Sequence, residues 1–420
     1  MKDKTLLGHE LNPETLALGL GYEPSLSEGA IKPPVFMTST FQFPTAEEGK
    51  RHFEIAYGLR QKDPGETPGL IYSRINNPNL QIFEERMAVW DKAEKAASFT
   101  SGMAAISTSL LALLKPGDAI ISSNPIYGGT HYLFHKIFPE FGITVHTVRG
   151  GSNTAADIRS KIAEVGASKI KLLYIETPAN PSNVLIDIRA VADVAAEVTR
   201  ATGRKCLTMV DNTFLGPVFQ TPSEHGADLT VYSATKYIGG HSDLVAGVIT
   251  GPASLLEPIT GYRTILGTAA PAFNGWLLLR SLETLSIRMR RASKTARKIA
   301  KFLTEHPRVS KVYYPGLLTA DDPQYAIYSR QCKGPGALIS FDIKGGEREA
   351  FQTLNRFKIC RLAVSLGGTE SLVEHPMTMT HSDIPPEELE AIGVGPGMIR
   401  ISVGLEHDED LLLDLKQAIV

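Results

Sequence analysis

Between residues 90 and 250 the short apolar stretches AASFT, AIIS, ITVHTV, KLLYIET, CLTMVD, LTVYS and VAGVIT recur, with longer patterns of helical period between several of them. The helical periods cover Met103 to Leu114, the segment around Ile158 to Val165, and Ile188 to Thr199. Strands alternating with helices imply an α/β fold, a mainly parallel sheet with helices on both faces. Such sheets place ligands beyond the carboxyl ends of their strands, so functional residues are expected just after the apolar runs.

The flanks read differently. Residues 1 to 75 carry Pro24, Pro33, Pro34, Pro44, Pro64 and Pro68 and show no long periodic segment, which suggests an extended arm. After residue 275 the pattern predicts one long helix from Trp276 to about Glu305, strands near Ala337 to Ile343 and Met398 to Val403, and a terminal helix from about Glu409. The chain therefore divides into an arm (1–75), a central α/β domain (76–275) and a smaller C-terminal α+β domain (276–420).

Charge and cysteine usage narrow the function. The 43 Lys and Arg nearly balance the 45 Asp and Glu, and the near-neutral result argues against nucleic acid as a partner. One basic run, RMRRASKTARKIAK, places Arg290, Lys294, Arg297 and Lys301 on one helical face, as a solvated surface would. Cys206, Cys332 and Cys360 are too far apart for a disulfide framework, so a reducing, cytoplasmic setting is expected. The charged amino terminus lacks the pattern of an export signal. The uncharged stretch Ala96 to Leu114 is too rich in Ser and Thr for a membrane span. His131 and His135 have a chelating spacing, but position 132 is Tyr where a zinc-protease helix needs Glu, and no metal is expected.

Three segments carry chemistry. YSATKYIGGHSD sets Lys236 just after an apolar run, among Ser233, Ala234, Thr235, Gly239 and Gly240. A lysine that forms an imine must shed its proton, and neighbouring hydroxyls can bind phosphate; a surface lysine after a strand would have the same local sequence. Asp211 closes CLTMVDNT, where a carboxylate can hold a protonated ring nitrogen or simply form a turn. Ser101, Gly102 and Met103 open a helix whose free N–H groups can cradle an anion, though Ser-Gly is also an ordinary helix start.

Together with YSRINNPN (72–79), SGM (101–103), IETPANP (175–181), VDNT (210–213), LAVSLGGTESL (362–372) and MIRISVGLE (398–406), the segment SATKYIGGHSD (233–243) resembles the pyridoxal-phosphate enzymes of cysteine and methionine metabolism. That trans-sulfuration family includes cystathionine γ-synthase, cystathionine γ-lyase, methionine γ-lyase and O-acetylhomoserine sulfhydrylase. The resemblance implies the fold of fold-type I pyridoxal-phosphate transferases and pyridoxal 5′-phosphate as cofactor. It implies that Lys236 holds the cofactor as a Schiff base and moves protons, that Asp211 pairs with the pyridine nitrogen, and that Ser101, Gly102, Met103, Ser233 and Thr235 surround the phosphate. Tyr72 and Arg74 would reach that phosphate from a neighbouring subunit, which makes a dimer the minimum and a homotetramer the expected assembly. Tyr127 would stack on the ring and act near the leaving group. Arg400 and Ser365 would hold the substrate carboxylate, with Asn180 between it and the cofactor.

Two positions depart from the family pattern. Methionine γ-lyases of the family carry a cysteine two residues after the stacking tyrosine, where this chain has Gly129. Cystathionine enzymes carry a glutamate before the serine of SLGG, where it has Val364. The expected reaction is γ-elimination from a homoserine-type amino acid with a sulfur- or oxygen-linked γ substituent, canavanine being one candidate. The alternative is γ-replacement, as in cystathionine γ-synthase or an O-acylhomoserine sulfhydrylase. A segment that looks inserted, GLRQKDPGETPGL (58–70), is either a specificity loop or a tolerated surface loop.

Overall fold

All seven apolar runs become strands of a single sheet: β1 (Lys95–Phe99), β2 (Ala119–Asn124), β3 (Thr144–Arg149), β4 (Ile170–Glu176), β5 (Leu207–Asp211), β6 (Leu229–Tyr232) and β7 (Gly247–Gly251). The computed structural model describes residues 3–419 except 62, 64, 65, 67 and 383. Strand order is β1-β7-β6-β5-β4-β2-β3. β3, β2, β4, β5 and β6 pair in parallel, and β7 runs against both β6 and β1.

Alternate residues of each strand feed two different cores. Leu172 and Tyr174 of β4 and Met209 of β5 join the core beneath the helix Gly102–Leu113, while Leu173, Ile175 and Val210 join the core beneath the helix Ile188–Thr202. Both faces are thus covered, which explains why the strands read as continuous apolar runs. The period of two also places Glu176 and Asp211, next in their series, on the face of the Gly102–Leu113 helix.

A second sheet follows, built from β8 (Val309–Tyr313), β9 (Leu338–Ile343), β10 (Arg361–Leu362), β11 (Leu372–Glu374) and β12 (Met398–Ser402) in the order β8-β9-β12-β11-β10. It is tied to the large sheet through the loop after β4. Asn183 donates to the carbonyls of Tyr313 and Leu338, and Ser340 donates to the carbonyl of Pro181 at 2.6 Å.

Two sequence expectations need correction. The long helix predicted from Trp276 is two helices, Ala272–Leu282 and Leu285–Glu305. Buried Arg288 causes the break: it donates to the Ser281 carbonyl at 2.9 Å and to Thr284 Oγ1 at 3.2 Å, competing with the helical hydrogen bonds. The arm is also not wholly extended, because Ala46–Ala56 forms a helix whose first turn is capped by Thr45 accepting from the Glu48 N–H. Residues 62, 64, 65 and 67 of the 58–70 segment lie outside the described residues. The basic face holds as read: Arg290, Lys294, Arg297 and Lys301 are exposed, and Met289, Ala292, Ala296, Ile299 and Leu303 are buried.

Asp414, on the terminal helix Asp408–Ala418, accepts three consecutive backbone N–H groups, those of Lys358, Ile359 and Cys360, each at 2.8 Å. This clamp fixes the turn that leads through β10 to Ser365. Asp414→Ala strands those donors and is expected to cost at least about 2 kcal/mol. A fall in the urea midpoint with unchanged slope would register it.

Candidate active site

β4 and β5 end side by side, with Glu176 and Asp211 as register partners. A cavity of about 300 Å³ opens over these two carboxylates, closed on the other side by Ser365, Thr380 and Arg400 from the second sheet and its loops. Every site residue expected from the sequence lines this cavity except Tyr72 and Arg74. Those two are exposed and stand apart from it, with Arg74 donating to the Thr264 carbonyl at 2.6 Å and lying over the Tyr72 ring.

Lys236 sits in the turn between β6 and β7. The turn is pinned at both ends: Thr235 and Ala246 exchange hydrogen bonds, and Gly240 N–H donates to the Lys236 carbonyl at 2.7 Å. Arg288, the residue that breaks the long helix, donates to the Tyr237 carbonyl at 2.8 Å and holds the turn from behind. Lys236 Nζ lies 2.7 Å from Ser365 Oγ. Burial, helped by the nearby Arg400 charge, lowers the Lys236 ammonium to about 8. A neutral amine is therefore available near physiological pH.

Asp211 is held from two sides. Its Oδ1 accepts from the backbone and hydroxyl of Thr213 at 3.0 and 2.6 Å, and its Oδ2 accepts from the Tyr174 hydroxyl at 3.3 Å. Burial raises its carboxyl above the ordinary range, opposed by these hydrogen bonds. Glu176 beside it is pushed up to about 8 by burial and by the Asp211 charge. Its two oxygens accept from the backbone of Tyr127 at 2.8 Å and of Asn180 at 2.9 Å, so a single carboxyl clamps both loops. Glu176, Thr213 and Thr380 were not singled out in the sequence. Glu176 was within reach, since it closes an apolar strand just as Asp211 does.

The anion cradle lies at the start of the Gly102–Leu113 helix. Ser101 Oγ caps it by accepting from Ala104 N–H at 3.0 Å, and the N–H groups of Gly102 and Met103 remain without a partner among the described residues. A Cβ at position 102 would stand 3.0 Å from the Cα and Cβ of Ser233, so glycine permits the close approach of the two segments. Opposite, Arg400 is buried in β12 and donates to Asn180 Oδ1 and to the Ser365 carbonyl, both at 2.9 Å. Tyr127 is 44% exposed, its ring at the mouth of the cavity. The rings of His131 and His135 lie with centroids 4.4 Å apart, tilted by 46° to one another.

The arrangement combines a lysine that loses its proton readily, a buried carboxyl group, unpartnered N–H groups at a helix start and a guanidinium. In cofactor-free protein, modification of Lys236 by an aldehyde with borohydride trapping should increase with pH through about 8 and level off above it, because only the unprotonated amine attacks. Peptide mapping of the labelled lysine across pH checks this.

The chain is similar in sequence and structure to known enzymes. The profile of the Cys/Met metabolism PLP-dependent enzymes matches residues 14–420. L-methionine γ-lyase of Pseudomonas deceptionensis is 41% identical, with 96% of each chain covered. O-succinylhomoserine sulfhydrylase of Pseudomonas aeruginosa is 36% identical over 97% of this chain and 94% of its own length. A crystal structure of cystathionine γ-synthase from Xanthomonas oryzae pv. oryzae superposes with a TM-score of 0.85 at 34% identity, covering 97% of this chain and 98% of that one. With lysine, carboxylate and cradle converging on one cavity, the chain belongs to the fold-type I, pyridoxal-phosphate-dependent enzymes of cysteine and methionine metabolism.

Proposed function

We propose that this enzyme is a γ-lyase that removes a sulfur- or oxygen-linked substituent from a homoserine-type amino acid, with canavanine and methionine-like compounds as the substrates to try first. The carrying observation is the cavity itself, in which the lysine that would move protons and the tyrosine that would protonate a leaving group share one space with a carboxylate-binding arginine. The relative at 41% identity is named as a methionine γ-lyase, which supports elimination over replacement.

The residues present fit pyridoxal 5′-phosphate. The Gly102 and Met103 N–H groups and the Ser233 hydroxyl suit its phosphate, with Ser101 and Thr235 shaping the cradle; Asp211 suits its pyridine nitrogen and Lys236 its aldehyde. When bound, the cofactor supplies an electron sink for the substrate's Cα and Cβ carbanions. Arg400 anchors the substrate carboxylate beside Asn180, a task suited to a forked guanidinium. Lys236, steadied by Ser365, takes the Cα proton and then a Cβ proton. Tyr127 donates its phenolic proton to the atom leaving Cγ, the protons taken by Lys236 return to the carbon skeleton, and one water replaces the nitrogen, so that the products are the protonated leaving group, 2-oxobutyrate and ammonia.

Gly129 bears on the substituent. A Cβ there would lie 2.7 Å from Tyr127 Cε1 and 3.2 Å from Met103 Sδ, so any side chain at this position would displace the tyrosine ring. Glycine leaves that ring free to settle against the helix and leaves space at the leaving-group end. Val364, 54% exposed, brings no charge to pair with an ammonium such as cystathionine's distal one.

A shared site is part of the proposal. Among the described residues lining the cavity, Lys236 and Arg400 are the cations, and both have other tasks; a phosphate dianion calls for a further one. Tyr72 and Arg74 of one subunit, exposed and remote from their own cavity, would supply it to the next, in a dimer or a tetramer of dimers. Free thiols at Cys206, Cys332 and Cys360 suit a cytoplasmic enzyme.

Methionine, homocysteine, cystathionine, canavanine, O-acetylhomoserine and O-succinylhomoserine, each with and without thiol, form the deciding panel. Keto acid and ammonia are expected without thiol; products from an acylated homoserine plus thiol alone would replace the lyase reading with γ-replacement. Separately, mixing the inactive variants Arg74→Ala and Lys236→Ala should restore up to about a quarter of wild-type activity, because exchange at a two-fold interface creates one site free of both substitutions. No recovery despite proven subunit exchange would rule out the shared site.

A further inference from the structure

We propose that Glu374 sets how tightly the site holds its substrate's carboxylate, acting as a resident carboxylate on Arg400. The inference rests on the reading of Arg400 as the carboxylate anchor. Glu374 and Arg400 are cross-strand partners between β11 and β12, a placement the sheet register enforces. Both are buried, at 1% and 3% exposure. Glu374 Oε1 stands 2.9 Å from Arg400 Nη1 and accepts the Thr380 hydroxyl at 2.9 Å. Its other oxygen, Oε2, is buried and has no hydrogen-bond partner among the described residues. The charge on Glu374 is therefore balanced by Arg400 and by no other cation in contact with it among the described residues.

The donors of Arg400 divide accordingly. Nη1 donates to Asn180 Oδ1 and stands in ion-pair contact with Glu374 Oε1, and Nη2 donates to the Ser365 carbonyl. Nε and the second Nη2 proton make no hydrogen bond among the described residues, and Arg400 faces the cavity while Glu374 sits behind it. An arriving carboxylate thus meets a guanidinium with an open fork and a charge already offset. It is oriented well and attracted weakly, since Glu374 repels it through a poorly screened interior. Interactions of this kind act on bound substrate and transition state alike, so they move KM more than kcat.

The test uses cofactor-loaded wild type and Glu374→Gln, titrated with glycine and glycinamide and followed by the change in cofactor absorbance. Glutamine keeps the acceptor for Arg400 and removes the charge. Glycine should bind about tenfold more tightly to the variant, as removal of a nearby unit charge predicts, and glycinamide should bind equally to both within about twofold. KM for the working substrate should fall with no rise in kcat. Glycine affinity that stays the same or weakens in a folded, loaded variant overturns the proposal. Glu374→Met, which places no polar atom where Oε2 lies, must show the same gain; failure of both variants to fold would assign the pair a structural role and overturn it too. Equal binding of glycine and glycinamide by the wild type would instead defeat the reading of Arg400 as the anchor, so the two ideas fail by different observations.

Discussion

A guanidinium buried between two sheets is the constraint on which the site depends. Taking Arg400 out of water is costly unless its charge is paired and part of its donor set is satisfied within the protein. Its partners come from three separate segments: Asn180 after β4, the Ser365 carbonyl after β10, and Glu374 on β11. Satisfying one side chain therefore brings the carboxyl ends of the large sheet against the small sheet, and the cavity is what remains between them. Lys236 is affected by the same arrangement, because burial and then the Arg400 charge make its ammonium easier to deprotonate.

Glu176 does comparable work on the other wall. The N–H groups of Tyr127 and Asn180 point into the protein at loop positions that no strand or helix satisfies, and one carboxyl accepts both. Burying this group next to Asp211 would be prohibitive if both were fully charged, and the upward displacement of both carboxyls is the physical response. Acidic residues in this site are thus of two kinds: Asp211, which faces the cavity and is proposed to meet a ring nitrogen, and Glu176, which holds the loops around it.

What the sequence discloses follows from which forces are local. The seven buried strands were legible because burial on both faces leaves continuous apolar runs, and Lys236, Asp211 and the Ser101–Met103 cradle were legible because each follows such a run directly. The break at Thr284 was not, since its cause is a side chain, Arg288, that reaches back to carbonyls at 281 and 237. The helix Ala46–Ala56 was hidden by the prolines around it. Glu374 was invisible for a different reason: its proposed role arises from pairing across the small sheet, with 25 residues between it and Arg400 and no periodic signal to connect them.

The order of strands also has a consequence for the birth of the protein. Among the described residues β1 has one partner strand in the sheet, β7, with Ala97 opposite Ile249, and the chain between them must be made before the pair can close. Until then the nascent polypeptide exposes the unpaired edge of an apolar strand for as long as the ribosome needs to add some 150 residues, about 10 to 30 seconds at ordinary translation rates. During that interval the growing chain is open to edge-to-edge association with its neighbours on the same messenger, so its yield in a cell is governed by the pace of synthesis and the supply of chaperones as much as by the stability of the finished enzyme.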